Sequence, residues 1–215
     1  FERGSEKLKE MENKLKEAFD FMRELYPEPP EQSEDLPGPS VRRTPSVPSL
    51  QAEALQKEIE NRRKSFEKKL GFLVSDEAYD ALKNQRFHKR IEDYIYAMVA
   101  PVIVRGLVSR KEMFPSEDEN PIILREVETG KEFILRDTSS LYDLDSARRY
   151  IEFRGQESLL HLSRSLRETV IEVSQKLIFP NITLNKNESE QRRKKALESL
   201  KPVYFQLKKG EMIIR

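Results

Sequence analysis

The chain has 215 residues, enough for one generous domain, with 37% apolar and 36% charged residues and only seven glycines. Thirty-nine basic residues stand against 38 acidic ones, so a formal charge of +1 offers no global field for nucleic acid or an anionic membrane. The absence of cysteine excludes disulfides, thiolate zinc sites and a cysteine nucleophile.

The first predicted element spans 5–26, where Leu8, Met11, Leu15, Ala18, Met22 and Leu25 alternate at three and four and form one apolar helical stripe. Ser5 is its candidate N-cap. Residues 27–48 hold seven of the twelve prolines and no apolar periodicity, which reads as an extended, flexible loop. The remainder, 49–215, forms the main body of the same domain. It opens with a helix over 49–70 carrying Ala52, Leu55, Ile59, Arg62, Phe66 and Leu70, stopped by Gly71. A short helix capped by Ser75 occupies 75–85. A longer helix over 87–108 contains the most apolar stretch of the chain and should kink at Pro101.

The pattern changes at 120–137, where two β-rich runs flank Glu128-Thr129-Gly130-Lys131 and predict a hairpin over 121–136. A short helix near 144–152 and a long one over 156–178 follow, the latter striped with Leu159, Leu162, Leu166, Val170, Val173 and Leu177. Residues 179–185 read as a short strand or turn, 188–200 as a helix and 202–214 as a pair of strands. The resulting expectation is a predominantly helical α+β fold. Its helical core carries a small β element formed by the hairpin and the C-terminal strands.

The side chains that usually carry chemistry are sparse. His88 and His161, the only histidines, each fall on a predicted helix and form no metal-binding dipeptide or triplet. No nucleophile elbow and no glycine-rich phosphate loop occurs. The basic run Arg192 to Lys195 shares its helix with Glu188, Glu190 and Glu198 and reads as a solvated face, with contact to an anionic membrane surface as the alternative. Asn181-Ile182-Thr183 and Asn187-Glu188-Ser189 match glycosylation acceptors by composition alone. The longest apolar run, Tyr94 to Val104, is about half of the ~20 residues that cross a bilayer.

The stretch "FPNITLNKNESEQRRKKALESLKPVYFQLKKGEMIIR" at 179–215 resembles the close of the extracytoplasmic domain of seven-transmembrane receptors with an intracellular HD hydrolase, the PgpH-like cyclic di-AMP phosphodiesterases. The family's Pro-Asn pair falls on Pro180 and Asn181, its helix start on Asn185 or Asn187 with Ser189, and its Arg-x-x-Ala on Arg193 and Ala196. Its Pro-Val-Tyr and Lys-Gly-Glu-x-Ile elements fall on Pro202, Val203 and Tyr204, then Lys209, Gly210, Glu211 and Ile213. The middle, with "IEDYIYAMVAPVIVRGLV" before a hairpin, is similar in pattern, whereas 27–48 has no counterpart.

The resemblance implies an extracytoplasmic sensory domain of a bacterial multi-pass membrane protein. That domain regulates a cytoplasmic HD-type cyclic di-AMP phosphodiesterase lying outside this sequence. On this reading no catalytic, cofactor-binding or metal-ligating residue is expected here, and the divalent metal pair belongs to the absent HD domain. The expected partners are an extracytoplasmic ligand or envelope protein, the flanking transmembrane helices of the same chain and a second copy, with no nucleic acid. Both ends of the domain should then face one bilayer surface, with residue 1 the remnant of an entering strand or linker. The competing expectation is a non-catalytic helical protein–protein interaction module of the cell envelope.

Overall fold

A computed structural model describes residues 1–4, 6–26, 49–114 and 122–200, with the backbone alone for 49–56 and Met113. The Pro-rich stretch 27–48, the Ser5 cap and the strand pair expected at 202–214 lie outside the described residues, as does the relation between the two chain ends. The chain divides into two compact units, Phe1–Thr183 and Leu184–Arg215.

The first unit opens with a two-residue strand, β1 (Glu2–Arg3), followed by α1 (Glu6–Arg23). The stripe on α1 is realised: Met11, Leu15, Ala18 and Met22 are buried, joined by Phe19. Helix α2 (Ser49–Leu70) packs on α1 and buries Phe66 and Leu70. Helix α3 (Asp76–Asn84) starts at Ser75, whose hydroxyl accepts the Ala78 N–H. Two non-glycine residues, Arg86 and Phe87, then adopt left-handed backbone with φ of 51° and 52°. This turn drives the fully buried Phe87 ring among Phe66, Phe19, Tyr26 and Tyr79 at centroid distances of 5.2, 5.8, 5.9 and 6.0 Å. Aromatic burial offsets the local backbone cost.

That turn corrects the helix expected to begin at Phe87. Helix α4 (Lys89–Arg105) begins two residues later, with His88 Nδ1 accepting the Arg90 N–H at 3.2 Å. It runs through Pro101 and ends three residues before the expected 108, because Gly106 takes φ 111° and its N–H closes onto Val102. Leu107–Val108 becomes strand β2. The expected boundary at 152–156 is also corrected. Helix α5 (Leu144–Ser158) starts from a capping box between Asp143 and Ser146, and α6 (Arg164–Leu177) starts at Ser163. Leu159 and Leu162, read as part of a helical stripe, are buried in the turn between them. His161 lies in that turn and not on a helix, its Nε2 3.0 Å from the Tyr94 hydroxyl.

The hairpin is present as β3 (Ile122–Glu126) and β4 (Glu132–Leu135). The α+β class holds, but the sheet is larger than the expected β element. Together with β5 (Tyr142–Asp143) and β6 (Ile182–Thr183), six strands among the described residues form one mixed sheet in the order β4-β3-β1-β6-β2-β5. β1 lies inside it, parallel to β3 and antiparallel to β6. The main core lies among α1 to α6; a smaller one, Val108, Leu124, Leu141 and Ile182 with Phe1, Phe114 and Leu135, lines the sheet. In the second unit, α7 (Lys186–Ser199) is capped by the Asn185 side chain and carries no buried residue.

Candidate functional site

Four residues at the start of the chain are held more firmly than their length suggests. The Arg125 N–H donates to the Phe1 carbonyl at 2.8 Å and the Val127 N–H to the Arg3 carbonyl at 3.0 Å. On the other side the Gly4 N–H donates to the Asn181 carbonyl at 3.0 Å. The Arg3 guanidinium donates to the Val104 carbonyl near the end of α4. Immediately afterwards the Glu6 N–H, at the first turn of α1, donates to Glu128 Oε1 at 3.0 Å. A carboxylate from the hairpin turn therefore serves as an N-terminal cap, satisfying an orphan donor and meeting the positive end of the helix dipole.

Asn181 joins the remaining elements. It is 5% exposed, and its Oδ1 accepts the Leu107 N–H at 2.7 Å while its Nδ2 donates to the Ile103 carbonyl at 2.9 Å. Its own N–H donates to the Leu107 carbonyl at 2.9 Å. One asparagine thus binds the end of α4, the start of β2 and the segment leaving β1. An amide so occupied is not presented as a glycosylation acceptor in the folded domain. Gly106 sits inside the same junction, where an added Cβ would lie 2.6 Å from Ile182 and 2.9 Å from Leu141.

Beside this junction opens a cleft of about 620 Å³, lined by Glu2, Gly4, Glu6, Lys7, Lys9, Glu10, Asn13, Val127, Glu128, Pro180, Asn181 and Thr183. Its rim is ionic. Glu10 accepts from Lys14 at 2.8 Å and from Lys7 at 2.9 Å, and these bonds hold its carboxyl down at about 2. The Lys7 ammonium also stands 5.7 Å from the Phe179 ring centre. A second, smaller hollow of about 320 Å³ between Ser109, Arg110, Glu112 and Asp143 to Asp145 flanks the β2–β5 pair. Its Asp143 is committed to capping α5, which holds that carboxyl below its usual range through Ser146.

Of the residues singled out in the sequence, Pro180 and Asn181 line the cleft, and Arg193 lies exposed on α7 in the other unit. Pro202, Val203, Tyr204, Lys209, Gly210 and Glu211 lie outside the described residues. Gly4, Glu128 and Arg3 were not anticipated. Their partners are far away in sequence, and only the Glu-Thr-Gly-Lys turn signal around Glu128 hinted at that position. Among the described residues no group of three or more His, Asp or Glu side chains is placed to hold a metal ion. Nor is any described helix long and apolar enough to cross a membrane.

The described residues form a mainly helical domain that threads its first strand through the interior of a mixed sheet and carries an ionic cleft beside it. The family model described as 7TM-HD extracellular matches residues 1–215, and the chain belongs to that family. It is thus the extracellular domain of a seven-transmembrane protein. No curated protein and no solved structure matches it.

Proposed function

We propose that this domain senses an extracellular ligand or envelope protein and regulates a cytoplasmic HD-type cyclic di-AMP phosphodiesterase carried by the same protein. The observation that carries the reading is the placement of residues 1–4: they lie between β3 and β6, bonded to Asn181, next to the cleft. Residues 1–4 are the part of this unit that a preceding membrane helix would pull on. A ligand that binds one arrangement of this junction better than another shifts the balance between them. Four glutamates against two lysines in the lining favour a ligand that presents a cation.

The HD domain, with its divalent metal pair, would supply the hydrolytic chemistry, and this domain would supply only binding and displacement. Pro180 and Asn181 act here as positioning residues. The test is cyclic di-AMP hydrolysis by the full-length protein in liposomes, with Val127→Trp narrowing the cleft from an exposed position. A changed rate or a changed response to envelope extract supports the reading. Identical hydrolysis after the whole domain is replaced by a flexible linker overturns it.

The competing reading, an interaction module of the envelope, is favoured by a different observation. The outer strand of the sheet exposes Phe133 at 54% and Ile134 at 63%.

A further inference from the structure

The first two turns of α1 present a short array of polar groups to the cleft. Glu6, Lys9, Glu10 and Asn13 stand three or four residues apart, so they share one face of the helix, opposite the buried stripe of Met11, Leu15 and Met22. All four are exposed. Glu10 is committed, held by Lys7 at 2.9 Å and Lys14 at 2.8 Å. By contrast, the side chains of Glu6, Lys9 and Asn13 make no hydrogen bond or ion pair among the described residues. One carboxylate, one ammonium and one carboxamide are thus available to a ligand.

Their order along the helix sets how such a ligand would lie. Each residue adds about 1.5 Å of rise, so Asn13 stands about 10 Å beyond Glu6, with Lys9 between them. The Glu6 end carries a second carboxylate, because Glu128 Oε1 accepts the Glu6 N–H at 3.0 Å. Glu128 thereby occupies a helix-end donor that an anion would use, and two acids together favour a cation there. The Lys9 and Asn13 end offers an ammonium and an amide NH₂, donors suited to a carboxylate. Val127, 57% exposed, and Pro180 add apolar surface to the lining.

A polyanion would meet four glutamates against two lysines in this lining. A bare metal ion would find no group of three acidic or imidazole ligands among the described residues. A peptide with both ends free fits better. Extended chain covers about 3.3–3.6 Å per residue, so two or three residues span the array. The cleft volume of about 620 Å³ holds a ligand of that size. Resting on the reading of this cleft as the sensor's ligand site, we propose that it takes a zwitterionic di- or tripeptide. The amino terminus lies on Glu6 and the carboxyl terminus on Lys9 and Asn13.

Calorimetric titration of the 215-residue protein with alanyl-valine and trialanine tests this, alongside the N-acetylated and C-amidated form of each. Blocking either end should weaken binding about tenfold, roughly what one charge-assisted hydrogen bond contributes. Glu6→Gln should cost the same factor and make acetylation harmless, while amidation still weakens binding. Lys9→Met should do the reverse. Both side chains are exposed, and unchanged helix content by circular dichroism verifies that each variant folds. No binding of either free peptide at about 10 mM overturns the proposal, as does binding indifferent to both end blocks. Peptides that fail to bind while Val127→Trp still alters cyclic di-AMP hydrolysis sink the ligand class and keep the sensor. Peptides that bind while replacement of the domain leaves hydrolysis unchanged keep the site and sink the sensor.

Discussion

Asn181 Oδ1 accepts the Leu107 N–H at 2.7 Å across 74 residues of sequence, at the point where α4 gives way to β2. The same side chain holds the Ile103 carbonyl, so its loss leaves both a buried donor and a buried acceptor without partners. Asn181→Ala should therefore cost about 2–4 kcal/mol of unfolding free energy. Urea denaturation with the slope held constant measures it. A loss below about 1 kcal/mol would mean that water or a shifted backbone replaces the carboxamide.

The second prediction concerns acid. Glu172 on α6 accepts the Ser75 hydroxyl at 2.6 Å and the Ser75 N–H at 3.0 Å, and it also accepts from Lys176 at 2.7 Å. Burial pushes its carboxyl up, but the bonds from Lys176 and Ser75 outweigh burial and hold it below the usual carboxylate range. A depressed folded-state pKa stabilises above the unfolded value and is lost as pH falls through the folded one. Glu172→Gln should thus cost about 1 kcal/mol at pH 7, after allowance for partial exposure, and the gap should close below about pH 4. A difference that stays constant from pH 7 to pH 3 would assign the effect to packing.

The third concerns the α5–α6 contact. Gly155 faces Ile171 so closely that a Cβ would lie 2.4 Å from Ile171 Cγ1. Gly155→Ala should destabilise by about 1–3 kcal/mol despite alanine's better helix propensity. Combined with Ile171→Ala, the loss should be smaller than the sum of the two single losses. Strict additivity in the double-mutant cycle would refute the clash.

Where the sequence was legible, one physical signal dominated its neighbours. The stripe of α1, the cap at Ser75 and the Gly130 turn are local features, and each produced the element it announced. The strands Glu2–Arg3, Leu107–Val108 and Tyr142–Asp143 have two residues each, too few to show a period of two. They are strands because the sheet recruits them. Leu107 and Val108 continue an apolar helical run in sequence, and only the conformation of Gly106, made necessary by Ile182 and Leu141, turns them out of it. Likewise Leu159 and Leu162 are buried as the stripe requires, yet Ser163 restarts the helix beneath them. The junction itself was recognisable only as the Pro180-Asn181 pair. Asparagine's value there depends on Ile103 and Leu107, which no local pattern connects to it.

The position of β1 also sets an order of events during folding. Its neighbours in the sheet, β3 and β6, are about 120 and 180 residues further along the chain, so β1, made before either of them, is among the last elements to find its place. Closing loops of that length precedes any reward from the contacts they create, which makes the sheet a late and slow step. The helices, whose contacts are more local, can assemble while β1 is still unpaired. For a domain that must cross a membrane before it folds, this arrangement keeps the sheet open until Thr183 has emerged, and the chain completes its fold only once the whole unit is outside.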